Sequence, residues 1–356
     1  MIIEKSILKE LVSSTASNAA RQNNIFSCLR IIHDGNEIKI QSLNTMSIEA
    51  FAEVSEASEP FDVFVSAQNF ARAVSHFGRN VEMSIDKGYS MLVLQEGAFV
   101  ERLKIVGEAD KDAWQFPSEP LYAFDIHETA RRVLFNKIDQ IPLSKMDGSF
   151  KGAVMFTSDG NDIHAFATSG QILSHRKYKL ECGTFELRLP IRMASILATE
   201  SGEMRVGIES QNDVPYRAMF KFKHVKYFTT LYNFPMPNLS AILEYQKQMV
   251  FKVEAGVLRH AIERFADFSS VEVAWGNCEL SLSAYSENGT INDVVQLEET
   301  YGTDGGKASY NPTYLLKVLG NLADEENLVV QFAPNTMRGF FIYSNNAVGV
   351  VAGLKK

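Results

Sequence analysis

Apolar positions recur along this chain at two different spacings, and the switching between them predicts its elements. Ile7, Leu8, Leu11, Val12 and Thr15 follow the i, i+1, i+4, i+5, i+8 pattern of one helix face. Val257, Leu258, Ala261, Ile262 and Phe265 repeat it position for position, and Ala130, Val133, Leu134 and Ile138 give a rougher version. Three further helix-like stretches are VSAQNFARAVSHF from Val65, LPIRMASILAT from Leu189 and YNPTYLLKVLGNL from Tyr310. Around them, EIKIQSL, VEMSI, MLVLQ, AVMFTS, MRVGIES, AMFKFK, LVVQF and GFFIYS alternate apolar and polar positions between Gly, Asn and Asp turns, as strands do.

The elements come in three sets. A turn leading into a strand is written Gly35-Asn36-Glu37-Ile38, then Gly160-Asn161-Asp162-Ile163, then Gly276-Asn277-Cys278-Glu279-Leu280. The second helices follow at a similar offset after each turn. Trp114-Gln115-Phe116-Pro117 and Tyr232-Asn233-Phe234-Pro235 close the first two sets. The markers agree on a period of roughly 120 residues, the size of one ordinary domain. Three tandem domains are therefore expected, at 1–120, 121–245 and 246–356. Each is an α+β unit with two amphipathic helices on one face of antiparallel sheet.

Composition narrows the function. With 35 basic against 43 acidic residues the net charge is −8, which argues against a surface coated with positive charge for nucleic acid. The helix-like stretches are near neutral, so the negative charge resides in strands and loops. Cys28, Cys182 and Cys278 are far apart and read as reduced core thiols. The N-terminal MIIEKSILKELV carries charges inside its apolar run, so neither an export signal nor a membrane span is expected, and the chain reads as cytoplasmic. The seven histidines form no H-E-x-x-H spacing, and no G-x-S-x-G elbow occurs. Gly302 to Ala308 lacks the Gly-Lys-Ser/Thr ending of a phosphate loop and reads as a hairpin. His164 and His175 read as partly buried structural side chains, and Asp159 and Asp162 as turn residues. No enzyme, cofactor or metal is expected.

Six amphipathic helices in three tandem units, with Ala167 to Leu173 (ATSGQIL), Asn311-x-x-Tyr314-Leu315, the two closing Phe-Pro pairs and Val350-Val351 near the end, resemble the β subunit of bacterial DNA polymerase III, the sliding clamp. The resemblance runs over essentially the whole chain. It implies a head-to-tail homodimer whose six domains form a ring, with helices lining a hole for duplex DNA. The ring is a processivity factor that does no chemistry: it tethers the replicative polymerase, the clamp loader and repair proteins through linear peptide motifs. Sliding needs sequence-independent phosphate contact only. Candidate DNA-facing residues are Arg21, Arg72, Arg79, Arg131, Arg132, Arg192 and Lys317.

The resemblance also implies a partner-peptide cleft between the second and third domains, formed here by Phe150, Thr168, Gly170, Ile172, Leu173, Pro235, Val350, Ala352 and Leu354 with Asn311 and Tyr314 at its edge. Leu173 and Val350 would form the floor, and Gly170 would permit a tight turn. At ring closure, Val100, Leu103 and Ile105 of the first domain would meet the third domain near Asp267 and Phe268.

The chain departs from the family pattern in places. Ser169, Gln171 and Ile172 stand where the family has Asp, His and Arg, and the end reads Ala352-Gly353-Leu354-Lys355-Lys356 in place of Met-Pro-Met-Arg-Leu. A cleft with Ile for Arg and Ala for Met either selects altered peptides or still accepts the family consensus. Asp267 replaces an apolar interface residue, and an unpaired carboxylate there would weaken the dimer. An alternative is a monomeric scaffold of the same fold that binds peptides without encircling DNA.

Overall fold

The structure is a computed structural model that describes residues 1–20, 25–54, 58–106, 114–141, 152–235, 237–243, 249–287, 289–301, 305–322, 327–332 and 339–354. Two compact units form: Met1–Ile126 with Ser201–Thr230, and His127–Glu200 with Leu231–Lys356.

The first unit holds two antiparallel sheets. One runs β1 (Ile2–Glu4), β6 (Asn80–Asp86), β7 (Met91–Glu96), β8 (Phe99–Lys104). The other runs β5 (Phe61–Ser66), β2 (Cys28–His33), β3 (Glu37–Leu43), β4 (Ser47–Glu53), β16 (Val225–Thr230), β15 (Val214–Lys221), β14 (Met204–Gln211), β9 (Tyr122–Ile126). Helices α1 (Lys5–Ala16) and α2 (Ala67–His76) pack against each other, and α1 lies on β3 and β4. They bury Leu8, Leu11 and Val12 from α1 and Phe70, Ala73 and Val74 from α2. Each of these leucine, valine and phenylalanine side chains contributes roughly 1.5–3 kcal/mol by leaving water. Asn18, just past α1, donates to Met46 O at 2.7 Å and fixes the helix end to the β3–β4 turn.

The second unit also holds two antiparallel sheets. The larger runs β13 (Phe185–Pro190), β10 (Ala153–Ser158), β11 (Asp162–Thr168), β12 (Ile172–Lys179), β25 (Ala347–Val351), β24 (Phe340–Tyr343), β23 (Asn327–Phe332), β17 (Met249–Glu254), β21 (Glu299–Tyr301). The smaller runs β20 (Gly289–Gln296), β19 (Glu279–Ser286), β18 (Val271–Gly276), β22 (Gly306–Tyr310). Helices α3 (Glu128–Phe135) and α4 (Ile191–Thr199) form one packed pair and α6 (Ala255–Glu263) and α7 (Pro312–Leu322) another, while α5 (Leu239–Leu243) is a single short turn of helix. Gly349 lets α7 approach β25: a methyl group there would come within 2.1 Å of Val318 Cγ1.

The repeat is visible at the level of single hydrogen bonds. Asp34 accepts from the backbone N–H of Asn36 and Glu37, and Asp159 accepts from those of Asn161 and Asp162, all at 2.9–3.0 Å. Gly35 and Gly160 take the positive φ these turns need, +111° and +103°. In the third copy Asn277 and Cys278 are both left-handed, φ +50° and +61°, as a two-residue hairpin turn requires.

The large sheets join copies. In the first unit, β4 of the first repeat pairs with β16 of the second; in the second unit, β12 of the second repeat pairs with β25 of the third. The compact units therefore cut across the repeat, because strands β14 to β16 belong to a sheet begun by the first copy. Among the described residues, the corresponding outer strands at the two chain ends, β8 and β20, each have a neighbour on one side only.

Three sequence expectations change. Arg131 occupies the buried helix position held by Leu8 in α1 and Leu258 in α6, so it belongs to the core stripe and not to an exposed face. Val257, placed on the buried stripe of α6, is 45% exposed. Cys278 is exposed at its hairpin tip and is not a core thiol, whereas Cys28 is buried.

Candidate functional site

The hairpin that carries ATSGQIL is held by its own side chains. Thr168 Oγ1 donates to Ile172 O at 2.7 Å and accepts from Gly170 N–H at 3.0 Å, while Ser169 Oγ accepts from Ile172 N–H at 3.2 Å. Gly170 has φ +88° at the tip. The turn delivers β12 with Leu173 opposite Val350 of β25. Alternation then sorts the strand. Leu173 joins Met155, Phe166, Phe341, Val350 and Leu239 in one buried apolar cluster, against which Ile242, Leu243, Tyr343 and Val348 pack. Ser174 and Arg176 turn the other way and bond Asn321 of α7.

Leu173 and Val350 thus meet, with Leu239, Ile242 and Leu243 of α5 beside them. Ile172 does not join them: it is buried but stands outside the cluster. Asn311 caps α7, accepting from Thr313 N–H at 2.9 Å, and Tyr314 is half-buried in the first turn. Ala352 is exposed with its N–H bonded to Gln171 O, Leu354 N–H donates to Ser309 O, and Pro235 is exposed. Phe150 lies outside the described residues, as do Arg21 and the Gly302 end of the hairpin considered above. Met155, Phe166, Leu239 and Phe341 were missed in the sequence. The signal was there in AVMFTS and GFFIYS, whose apolar residues fall on both strand faces and so require cover on both.

Beside the cluster is a cavity of about 730 Å³ lined by His175, Lys177 and Lys179 of β12, by Tyr343 to Val348, and by Asn161, Asp162 and Glu181. His175 stacks on Phe166, ring centroids 4.3 Å apart, and its Nε2 is 3.0 Å from His164 Nδ1. Burial, with the neighbouring charges of His164 and Lys177, pushes the His175 pKa down to about 3, so it is neutral near pH 7. Two backbone N–H groups hold the Asp159 carboxyl down to about 2. Among the described residues, no three His, Cys, Asp or Glu side chains are grouped to hold a metal ion, and no helix is long and apolar enough to cross a membrane.

The helix cations differ from one another. Arg72 and Arg79 are exposed on and just after α2, and Arg192 is exposed in the first turn of α4. Arg132 is exposed and ion-paired with Glu128 one turn earlier. Lys317 is half-buried, and burial lowers its pKa. Arg131 is fully buried and donates to the carbonyls of Leu197 and Glu200 at the end of α4, so it satisfies a helix terminus and is removed from the DNA-facing set.

The edges are equally specific. On β8, Leu103 is buried and Val100 half-buried, and Ile105 just past the strand is half-buried; beyond α6, Phe268 is half-buried and Asp267 exposed.

No family model and no curated protein matches this chain. Solved structures do. The DNA polymerase III subunit beta from Pseudomonas aeruginosa superposes with a TM-score of 0.87 at 15% identity, covering 100% of both chains. The beta subunit from the DNA polymerase of Streptococcus pyogenes gives 0.86 at 17%, covering 100% of this chain and 99% of that one. The DNA polymerase sliding clamp from Bacillus subtilis gives 0.85 at 17%, covering 100% and 98%. Over its whole length, this chain has the fold of these bacterial polymerase III β-subunit structures.

Proposed function

We propose that this protein is a divergent bacterial-type sliding clamp: a non-catalytic processivity factor of three domains, 1–120, 121–245 and 246–356, that closes head to tail with a second copy around duplex DNA. The observation that carries this reading is the pair of internal joints. Counted from the hairpin-closing residues, both have one register: Val225 faces Ala50 across β16–β4, and Ala347 faces Arg176 across β25–β12. The same count sets Phe99 of β8 opposite Asp293 of β20, and Val100 opposite Asn292. An edge strand left with unpaired N–H and C=O groups is a template for another chain, and here two copies satisfy both edges at once.

In the closed dimer the helix pairs face the DNA, with Arg72, Arg79, Arg132 and Arg192 making diffuse phosphate contacts. The apolar cluster around Leu173 and Val350 receives short peptides from the polymerase and clamp loader, which insert apolar anchors beside α5. Light scattering over a dilution series tests the reading. The clamp requires twice the 39.8 kDa chain mass, and a monomer at every concentration would refute it.

A further inference from the structure

The internal joint of the second unit is locked by one amide. Asn321 Oδ1 accepts from Ser174 Oγ at 2.9 Å and from the Arg176 guanidinium at 2.9 Å, and Asn321 Nδ2 donates to Lys137 O at 2.5 Å. Asn321, Arg176 and Ser174 are all buried.

The corresponding positions at the chain ends carry charges. Counted from the helix caps Ser66 and Asn311, His76 of α2 stands where Asn321 stands in α7. By strand register, Asp293 of β20 stands where Arg176 stands in β12 and Glu101 of β8 where Gly349 stands in β25. Each end has already half-assembled an ionic cluster. His76 Nδ1 is 3.0 Å from Glu101 Oε2, and Arg264 Nη1 is 2.9 Å from Asp293 Oδ2. The Arg264–Asp293 pair lines an open cavity of about 400 Å³ between α6 and β20, together with Glu254, His260 and the half-exposed Val257 and Val294.

We propose that where two copies join, His76 and Glu101 of one close onto Asp293 and Arg264 of the other, forming a four-charge latch in place of the buried amide of the internal joint. The inference rests on the head-to-tail reading above and names what controls that closure. His76 then sits between two carboxylates. Its own copy also brings Lys5, whose Nζ donates to Ser75 O at 3.3 Å, Arg72 one turn back on α2, and Glu96, whose carboxylate is occupied by the Gly78 and Arg79 N–H groups; the facing copy brings Glu254 and His260 from the cavity that holds Arg264. Imidazole gains its charge between pH 5 and 8. A charged His76 tightens the latch, so closure strengthens as pH falls through that range and weakens as pH rises. Exposed ionic contacts are also screened by salt, unlike the internal amide.

The test is the dimer dissociation constant of the full chain by sedimentation, at pH 6 and pH 8 and at low and high salt. The wild-type dimer is expected to weaken about tenfold from pH 6 to pH 8. His76→Asn should abolish that dependence, and His76→Ala and Asp293→Asn should be strongly non-additive in a double-mutant cycle. The variant pair Val100→Cys and Asn292→Cys, oxidised, reports the β8–β20 closure independently. A dimer that cross-links there but is indifferent to pH, with additive mutants, overturns the latch and leaves the ring standing. Absence of any dimer overturns both.

Discussion

Arg176 on β12 and Asn321 on α7 share a 2.9 Å hydrogen bond from guanidinium to amide Oδ1, and it ties the second repeat to the third. Ser174 uses the same oxygen. Asn321→Ala should therefore cost about 2–4 kcal/mol in urea unfolding, because it strips one acceptor from a buried cation and leaves a buried hydroxyl without this partner. A loss under about 0.5 kcal/mol would mean the joint rests on its backbone ladder and apolar packing alone.

Adjacent arginines on α3 should behave oppositely. Arg131→Ala empties a buried position and leaves the Leu197 and Glu200 carbonyls without this donor, so it should destabilise the fold by about 3–5 kcal/mol. Arg132→Glu sits on the surface and should change stability by no more than about 0.5 kcal/mol while weakening DNA retention and flattening its salt dependence. Unfolding curves and salt titrations on the same two proteins separate the roles; equal effects on DNA would contradict them.

Leu173→Asp places a charge in the apolar cluster opposite Val350. Binding of a consensus clamp-binding peptide by calorimetry should fall at least about tenfold, the scale of losing one buried anchor site. Ala352→Met, by contrast, fills an exposed position and should strengthen consensus binding. Undiminished binding to the Asp variant would move the peptide site elsewhere.

His175 gives a pH signature with a definite sign. Its folded pKa of about 3 lies below the unfolded value near 6.5, so between these values the unfolded chain binds the extra proton. Stability is full above about pH 6.5 and is lost as pH falls toward 3, by up to a few kcal/mol. His175→Phe should flatten that slope between pH 7 and pH 5 in denaturant titrations. An unchanged slope would assign the acid sensitivity to other groups.

How much of this was legible in the residues depends on the kind of signal. The helices, the hairpins and the threefold pattern follow from periodicity and turn chemistry, and α1 and α6 bury Leu8 and Leu258 at matching places. Arg131 could not be read: it occupies that same place, and carbonyls at the end of α4, distant in sequence, help make a buried guanidinium tolerable. Leu173 and Val350 were legible through resemblance, but Leu239 and Phe341 join them only because α5 and β24 fold over the same sheet face. Burial of Ile172 away from Leu173 follows from strand alternation once the strand's start is known. Cys278 was misjudged because a hairpin tip exposes whatever residue occupies it.

The central claim is topological, and trapping tests it most directly. Val100→Cys/Asn292→Cys protein, oxidised in the presence of nicked circular plasmid, should close covalently and stay with the DNA in detergent until the plasmid is linearised. Protein that releases from circular and linear DNA alike, or that never cross-links into a species of twice 39.8 kDa, would contradict the clamp.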